Sequence, residues 1–438
     1  MMCGCLSTAL GQVSRKSRRL QSECALRLAK RGDSVVCLMF RLTRTGVFPV
    51  IFFVLLALAQ AAGAEPSRNA KLRGGLQNAR IQFEQKRTGR VAFIGGSITQ
   101  MDGYRPMVSN WLQSRFPETN FEFINAGISS TDSQTGAFRL GDHVLACGRI
   151  DLLFIEFAVN DDQDARHSRR GCILGMEGII RQVRLRQPMC DLVVTHFVTP
   201  PMLKQIQSGT VPPSIEAHED VLRHYNVSSI YLAREVADRI ATGKLTWAEY
   251  GGTHPKPAGN AVASELIGEL LDRRWAKPLS ANAAKGPVLL PPKPLDVGSF
   301  FNGQFLSPGL AKRGDGWVWH VPEWKKIPGS FRETFAGLKL LCGGHASGGV
   351  SFEFEGRALG AYVLAGPDAG VLEVSIDNGT FKPANLYHHY SRGLHYPRTV
   401  MFATDLIPGK HSVKLRLAKP PGNEAKGTAA RILQFTIN

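Results

Sequence analysis

Between residues 90 and 275, short runs of branched and aromatic residues alternate with longer stretches whose apolar positions recur every three or four residues. VAFIGG, FEFINAG, DLLFIEFAVN and DLVVTHFVTP are the short runs, apolar at nearly every position, as expected of strands buried on both faces. PMVSNWLQSRF, GMEGIIRQVRLRQ, HEDVLRHYNVSSIYLAREVADRIATG and PAGNAVASELIGELLDRRW carry the helical period. Such alternation predicts an α/β fold, a parallel sheet with helices on both faces. In that architecture reactive groups gather where the carboxyl ends of the strands pass into loops.

The period changes further along. GVSFEFEG, LGAYVLAG, GVLEVSIDNG, RTVMFATDL, KHSVKLRLA and ARILQFTIN alternate every second residue between Gly, Pro and Asn turns. Six short strands of this kind predict an antiparallel β-sandwich, jelly-roll-like, over residues 299–438. Pro and Ala crowd together in AKPLSANAAKGPVLLPPKPLDVG, so 281–298 reads as a linker and 65–280 as the α/β domain.

Near the start, VFPVIFFVLLAL (47–58) is the strongest apolar run. It is short for a bilayer, which takes about 20 residues, but suits the core of a signal peptide. Ala62-Gly63-Ala64 supplies a small-x-small cleavage pattern, and MFRLTRTG from Met39 supplies a short basic leader. The expectation is a signal peptide over 39–64 starting at Met39, with 1–38 a mis-assigned extension, and hence a secreted or periplasmic protein. An uncleaved anchor is the competing reading.

Composition narrows the picture. The chain has 438 residues, 43% of them hydrophobic, with 45 Gly and 25 Pro, which excludes wholesale disorder and a multi-span membrane protein. Net charge is +17, but nine basic and two acidic residues fall in 1–64. No arginine-rich arm, zinc-finger spacing or aromatic RNA-binding motif accompanies the remainder, so no nucleic-acid partner is expected. Cys147, Cys172, Cys190 and Cys342 show no CxxC or His–Cys cluster, so no metal is expected either. A Cys172–Cys190 bridge and free buried thiols both remain open.

Four strand ends carry candidate chemistry. Ser97 follows Gly95-Gly96 on a tight strand-to-loop turn, where a hydroxyl can project while its own N–H faces the same spot. A phosphate loop or a plain turn is the alternative, although neither GxGxxG nor a P-loop Lys is present. Gly127, in Asn125-Ala126-Gly127, lets a backbone N–H approach a ligand, and Asn160 can aim its side-chain amide at a developing oxyanion. His254, in Thr253-His254-Pro255, lies just ahead of the last helix, where imidazole can serve as general base.

Together these blocks resemble the SGNH/GDSL hydrolase superfamily over roughly residues 90–275. The resemblance implies a flavodoxin-like three-layer domain and an ester hydrolase needing no metal or organic cofactor. Ser97 would be nucleophile and His254 general base, with the N–H groups of Ser97 and Gly127 and the side chain of Asn160 forming the oxyanion hole. One place departs from the family pattern: where an Asp usually precedes the His by three residues, this chain has Gly251. Glu249 as the acid, a Ser–His dyad and a damaged site are the open alternatives, with Asp161 and Asp162 as further contributors.

In the sandwich, Trp317, Trp319 and Trp324 are either core or sugar platforms, with core the favoured reading. Tyr387, His388, Tyr390 and His395 form a polar-aromatic stretch expected to pack toward the α/β domain or line its cleft as substrate-binding residues. An SGNH-like domain with a sandwich resembles secreted bacterial esterases that remove O-acetyl groups from polysaccharides, which implies an acetylated carbohydrate substrate. Competing readings are a lipid esterase or lysophospholipase, for which the proline-bounded stretch 200–213 is the sole lid candidate, and a catalytically weak glycan-binding protein.

Overall fold

The computed structural model describes residues 67–344, 348–418 and 427–438. The expected signal peptide and Met39 start, and the first four cysteines, lie outside the described residues. In the α/β part the strands are β1 (Ala70–Lys71), β2 (Thr88–Gly95), β3 (Asn120–Gly127), β4 (Leu152–Glu156), β5 (Asp191–Thr195) and β6 (Ser228–Ile230). The helices are α1 (Gln77–Lys86), α2 (Ser97–Gln100), α3 (Tyr104–Arg115), α4 (Ser133–His143), α5 (Arg169–Arg186), α6 (Pro200–Gln207), α7 (Pro213–His224), α8 (Leu232–Ala241), α9 (Trp247–Tyr250) and α10 (Pro257–Trp275).

The sheet runs β1-β6-β5-β4-β2-β3, parallel except for the antiparallel edge strand β1. Its pleat explains the unbroken apolar runs. On β2, Val91 and Phe93 enter one core with Phe154, Tyr104, Leu266 and Trp275, while Ala92 and Ile94 enter the other with Ile155, Phe138 and Ile179. One long stretch read as helical, 218–243, is instead α7, β6 and α8 in succession. Ser228–Ile230 pairs with β5 and β1, and three residues are too few to impose a period on the flanking helical pattern.

The C-terminal part is two antiparallel sheets. One runs β15 (Tyr396–Ala403), β12 (Leu359–Ala365), β17 (Ala430–Ile437), β10 (Leu340–Gly343), β9 (Val318–His320), with β7 (Gln304–Leu306) also on β17. The other runs β14 (Lys382–Asn385), β13 (Val371–Ile376), β16 (Gly409–Leu417), β11 (Val350–Gly356), β8 (Lys312–Arg313). All six expected strands are present, and the five that the pattern did not reveal are two to four residues long. Phe354, Leu372, Val413, Leu415, Ile432 and Phe435 fill the space between the sheets, and Trp317 joins them.

Residues 276–298 are irregular yet docked on the α/β part. Val288 N–H donates to Pro188 O at 2.8 Å, Asn78 exchanges two hydrogen bonds with Gly286, and the buried Glu177 carboxylate accepts from the Leu295 and Asp296 amides. Further on, Thr135 and Thr399 hydroxyls meet at 2.8 Å, and Arg170 bridges Asp296 and Asp405. Among the described residues no helix is long and apolar enough to cross a membrane. Cys172, Cys190 and Cys342 are free thiols, and burial pushes the Cys172 and Cys190 thiols far up.

Candidate active site

Strand β2 ends at Gly95, and the chain turns at once into α2, so Ser97 begins a helix at the carboxyl edge of the sheet. The first amides of a helix have no intrahelical acceptor, which leaves the Ser97 N–H available beside its own hydroxyl. Ser97 is half-buried and His254 exposed, and His254 Nε2 lies 2.8 Å from Ser97 Oγ. The two residues, 157 positions apart, thus form the pair that nucleophilic attack on an acyl carbon requires.

Beneath the turn the support is buried and dense. Arg139, wholly buried, donates to Gly95 O at 2.9 Å and Ala126 O at 2.6 Å, tying the ends of β2 and β3 together. Burial brings its guanidinium down to about 10. Thr99 Oγ1 lies 3.1 Å from the Tyr104 hydroxyl and 3.3 Å from Glu156 Oε2. Glu156 ends β4 at 0% exposure. Burial pushes its carboxyl up to about 7; the Thr99 hydroxyl and Gly96 amide pull it down, and the nearby Asp161 and Asp164 charges raise it. A carboxylate inside an apparently all-apolar strand run gives no local sequence signal, and Arg139 inside an amphipathic helix gives none either.

Gly127 stands opposite Gly95 in the parallel register. A Cβ there would collide with the Gln100 backbone, so only glycine lets β3 close on α2. Its N–H, however, donates to Asn125 Oδ1 at 3.0 Å, while Asn125 Nδ2 donates to Gln100 O at 3.1 Å. That internal bond engages the donor expected of Gly127. Asn160, buried at the start of a π-type turn over Asn160–Asp164, gives one side-chain N–H to Asp164 Oδ2 at 2.7 Å and keeps a second.

The acid position is built for something else. Gly251 caps α9 with φ 107°, and a Cβ there would strike the Lys256 amide. Glu249 does not serve His254: its exposed carboxylate accepts from the Thr246 amide at 2.7 Å and hydroxyl at 2.8 Å, while its own N–H bonds the Thr246 hydroxyl, a reciprocal cap of α9. Those bonds hold its carboxyl below the usual range. The spacing Thr-x-x-Glu was the local signal for this role. Asp161 is likewise directed elsewhere, accepting from Ser133 N, Ser133 Oγ and, at 2.8 Å, His218 Nε2. Asp161, Cys172 and His218 have ligand-type atoms within 4.8 Å of one another, but the cluster is wholly buried and the Asp161 carboxylate is already filled by these donors. Among the described residues the His254 ring makes one hydrogen bond, to Ser97.

The polar-aromatic stretch divides. His388 Nε2–H donates to Asp164 O at 2.8 Å, which fixes its tautomer because a carbonyl can only accept, and burial brings its pKa down to about 4. Tyr390, 39% exposed, accepts from Gln163 Nε2 at 3.2 Å, and Gln163 Oε1 accepts from the Thr253 hydroxyl at 3.3 Å, next to His254. One of the expected contact residues is corrected. His395 is 1% exposed, bonded to Pro328 O and edge-on to Trp324, and Tyr387 packs on the sandwich core. The His395 ring is thus shut off from solvent, while the half-buried Tyr387 keeps part of its surface open. The lid candidate is also accounted for: α6 turns Met202, Leu203 and Ile206 into the core.

Comparison with known families agrees with this geometry. Residues 93–262, which include Ser97, Gly127, Asn160 and His254, match the model of the GDSL-like Lipase/Acylhydrolase family. The α/β part is therefore a GDSL-like acylhydrolase domain of the SGNH type, and the protein is a carboxylic ester hydrolase. In fold, the chain is similar to a two-domain esterase active on acetylated mannans: TM-score 0.67, 19% identity, 84% of this chain and 97% of that one covered. The same esterase crystallised with mannopentaose gives 0.66 and 19%, covering 84% and 96%. An acetyl xylan esterase from Geobacillus stearothermophilus is similar over 42% of this chain and 96% of its own, at 18% identity and TM-score 0.33. A sequence comparison with curated proteins gives no match.

Proposed function

We propose that the protein removes O-acetyl groups from a polysaccharide or oligosaccharide through an acyl-enzyme on Ser97. The carrying observation is the 2.8 Å contact between Ser97 Oγ and His254 Nε2 at the carboxyl edge of the sheet. His254 takes the hydroxyl proton as Ser97 attacks the ester carbonyl. The Ser97 N–H and the free N–H of Asn160 hold the oxyanion, and Gly127 supports the turn that presents them. His254 then protonates the departing sugar alcohol, and water attacking from the same side releases acetate. With Gly251 unable to carry a side chain and Glu249 capping α9, the base works as a Ser–His dyad.

The carbohydrate substrate is supported by likeness across both parts of the chain to an esterase active on acetylated mannans. Domain limits of 65–280 and 299–438 joined by 281–298, and export after cleavage following Ala64, complete the reading. Acetate release from 4-nitrophenyl acetate, acetylated xylan and acetylated mannan tests it, comparing the parent with Ser97→Ala. Loss of about 10³-fold or more in the variant is expected. Equal activity of parent and variant would remove Ser97 from the reaction, and preference for an octanoyl over an acetyl ester would make it a lipid esterase. The mass of the exported chain decides the cleavage site.

A further inference from the structure

Ser97 leads a four-residue helix, too short to hold its own position by internal hydrogen bonds. What anchors its inner face is Thr99, wholly buried, whose hydroxyl sits between Tyr104 and Glu156. A threonine hydroxyl donates one proton, so the contacts read in one direction: Tyr104 O–H donates to Thr99 Oγ1, and Thr99 O–H donates to Glu156 Oε2. Glu156 is itself fixed, because β4 pairs with β2 in register and sets Glu156 opposite Gly95. Its other oxygen, Oε1, is buried and has no hydrogen-bond partner. An apolar side chain at 156 would avoid that unsatisfied atom, so a carboxylate here calls for a reason beyond packing.

We propose that Glu156 is a positioning residue for ester cleavage, acting through Thr99 to fix the turn that aims the Ser97 hydroxyl and N–H. The inference rests on the Ser97–His254 reading of the site. Tyr104, from α3, closes the far end of the relay, and Arg105 Nε, donating to Thr99 O at 3.3 Å, steadies the same residue from outside. None of these groups touches substrate; they determine where the nucleophile and one oxyanion donor stand when it arrives.

The test uses the whole chain and 4-nitrophenyl acetate, a substrate too small to depend on distant contacts. Thr99→Val, which removes the donor, and Glu156→Leu, which removes the acceptor, are each expected to lower kcat about tenfold or more with KM within about twofold, since misplacement of a reacting group acts on the chemical step. Thr99→Ser, which restores the hydroxyl, is expected to recover kcat to within about threefold of the parent. A folded Thr99→Val that keeps kcat within about twofold of the parent overturns the proposal. Should Glu156→Leu fail to fold, Thr99→Val decides, and should both fail, Tyr104→Phe decides by the same criterion. Ser97→Ala separates the two readings. Full activity there overturns the site itself, whereas its loss beside an unaffected Thr99→Val overturns the relay alone.

Discussion

The turn that carries Ser97 and the loop that carries His254 meet at one hydrogen bond but are built in opposite ways. Ser97 stands on a lattice in which the buried Arg139, Thr99, Tyr104 and Glu156, with the half-buried Gln100 and the exposed Asn125, each hold a strand end or a turn. His254 stands on an exposed loop of two positive-φ glycines, with its backbone secured by Lys256 N–H to Tyr250 O and by Asn260 to Pro255 O. Beside it, Thr253 reaches Gln163, which in turn meets Tyr390 of the sandwich. Precision is thus concentrated on the proposed nucleophile and oxyanion donors. The proposed base is positioned by its backbone and by Ser97, without a carboxylate behind it among the described residues.

Asn160→Ala gives the largest effect that sharpens this contrast. Removing one preorganised oxyanion donor is expected to lower kcat about 10²–10³-fold with little change in KM. A loss smaller than about threefold would take Asn160 out of the oxyanion hole and leave the nucleophile side with its backbone donor alone.

Glu156 offers a stability counterpart. Its folded value of about 7 stands above the ordinary 4.5, so the folded chain keeps a proton that the unfolded chain has lost. That contribution is fully present below the unfolded value and is lost as pH rises through the folded one. Glu156→Gln abolishes it, so between about pH 4 and pH 8 the stability difference should move by about 3 kcal/mol in the variant's favour. Denaturant unfolding across that range measures it, and a pH-independent difference would mean that folding leaves the Glu156 carboxyl at its ordinary value.

Gly251→Asp attacks the comparison from the other side by supplying the family's usual acid. The backbone conformation there alone costs a side chain about 1–2 kcal/mol, and the collision with Lys256 adds to it. The expected outcome is lower stability with no gain in kcat. A rise in kcat would show that the loop can rearrange to place a carboxylate behind His254.

Legibility in the sequence follows the same division. Ser97, Gly127 and Asn160 stand in short local motifs at or just past strand ends and His254 in one just ahead of the last helix, and the strand–helix alternation shows where those places are. The lattice below was not legible, because Glu156 lies in an apolar strand run and Arg139 on a helix whose period hides it. Their roles come from which elements the sheet order brings together, β4 beside β2 and α4 across β2 and β3. Strand β6 was missed for a physical reason too: its three residues pair across the sheet rather than along the chain. The exclusion of Glu249 was legible in principle, since its cap is a local pattern.

The smallest predicted effect therefore concerns Glu249. If its carboxylate served His254, Glu249→Gln would remove a negative charge from the imidazolium that forms in the transition state and lower kcat by orders of magnitude. The capping geometry argues otherwise. The carboxylate is turned back onto the Thr246 amide and hydroxyl, in solvent, and a glutamine can make the same two contacts as an acceptor. Glu249→Gln is thus expected to keep kcat within about twofold and to shift the melting temperature by less than about 3 °C. Glu249→Ala, which cannot close the cap, should shift it further while still sparing kcat. A steep fall in kcat for both variants would reconnect Glu249 to His254, and the two sides of the site would prove equally supported.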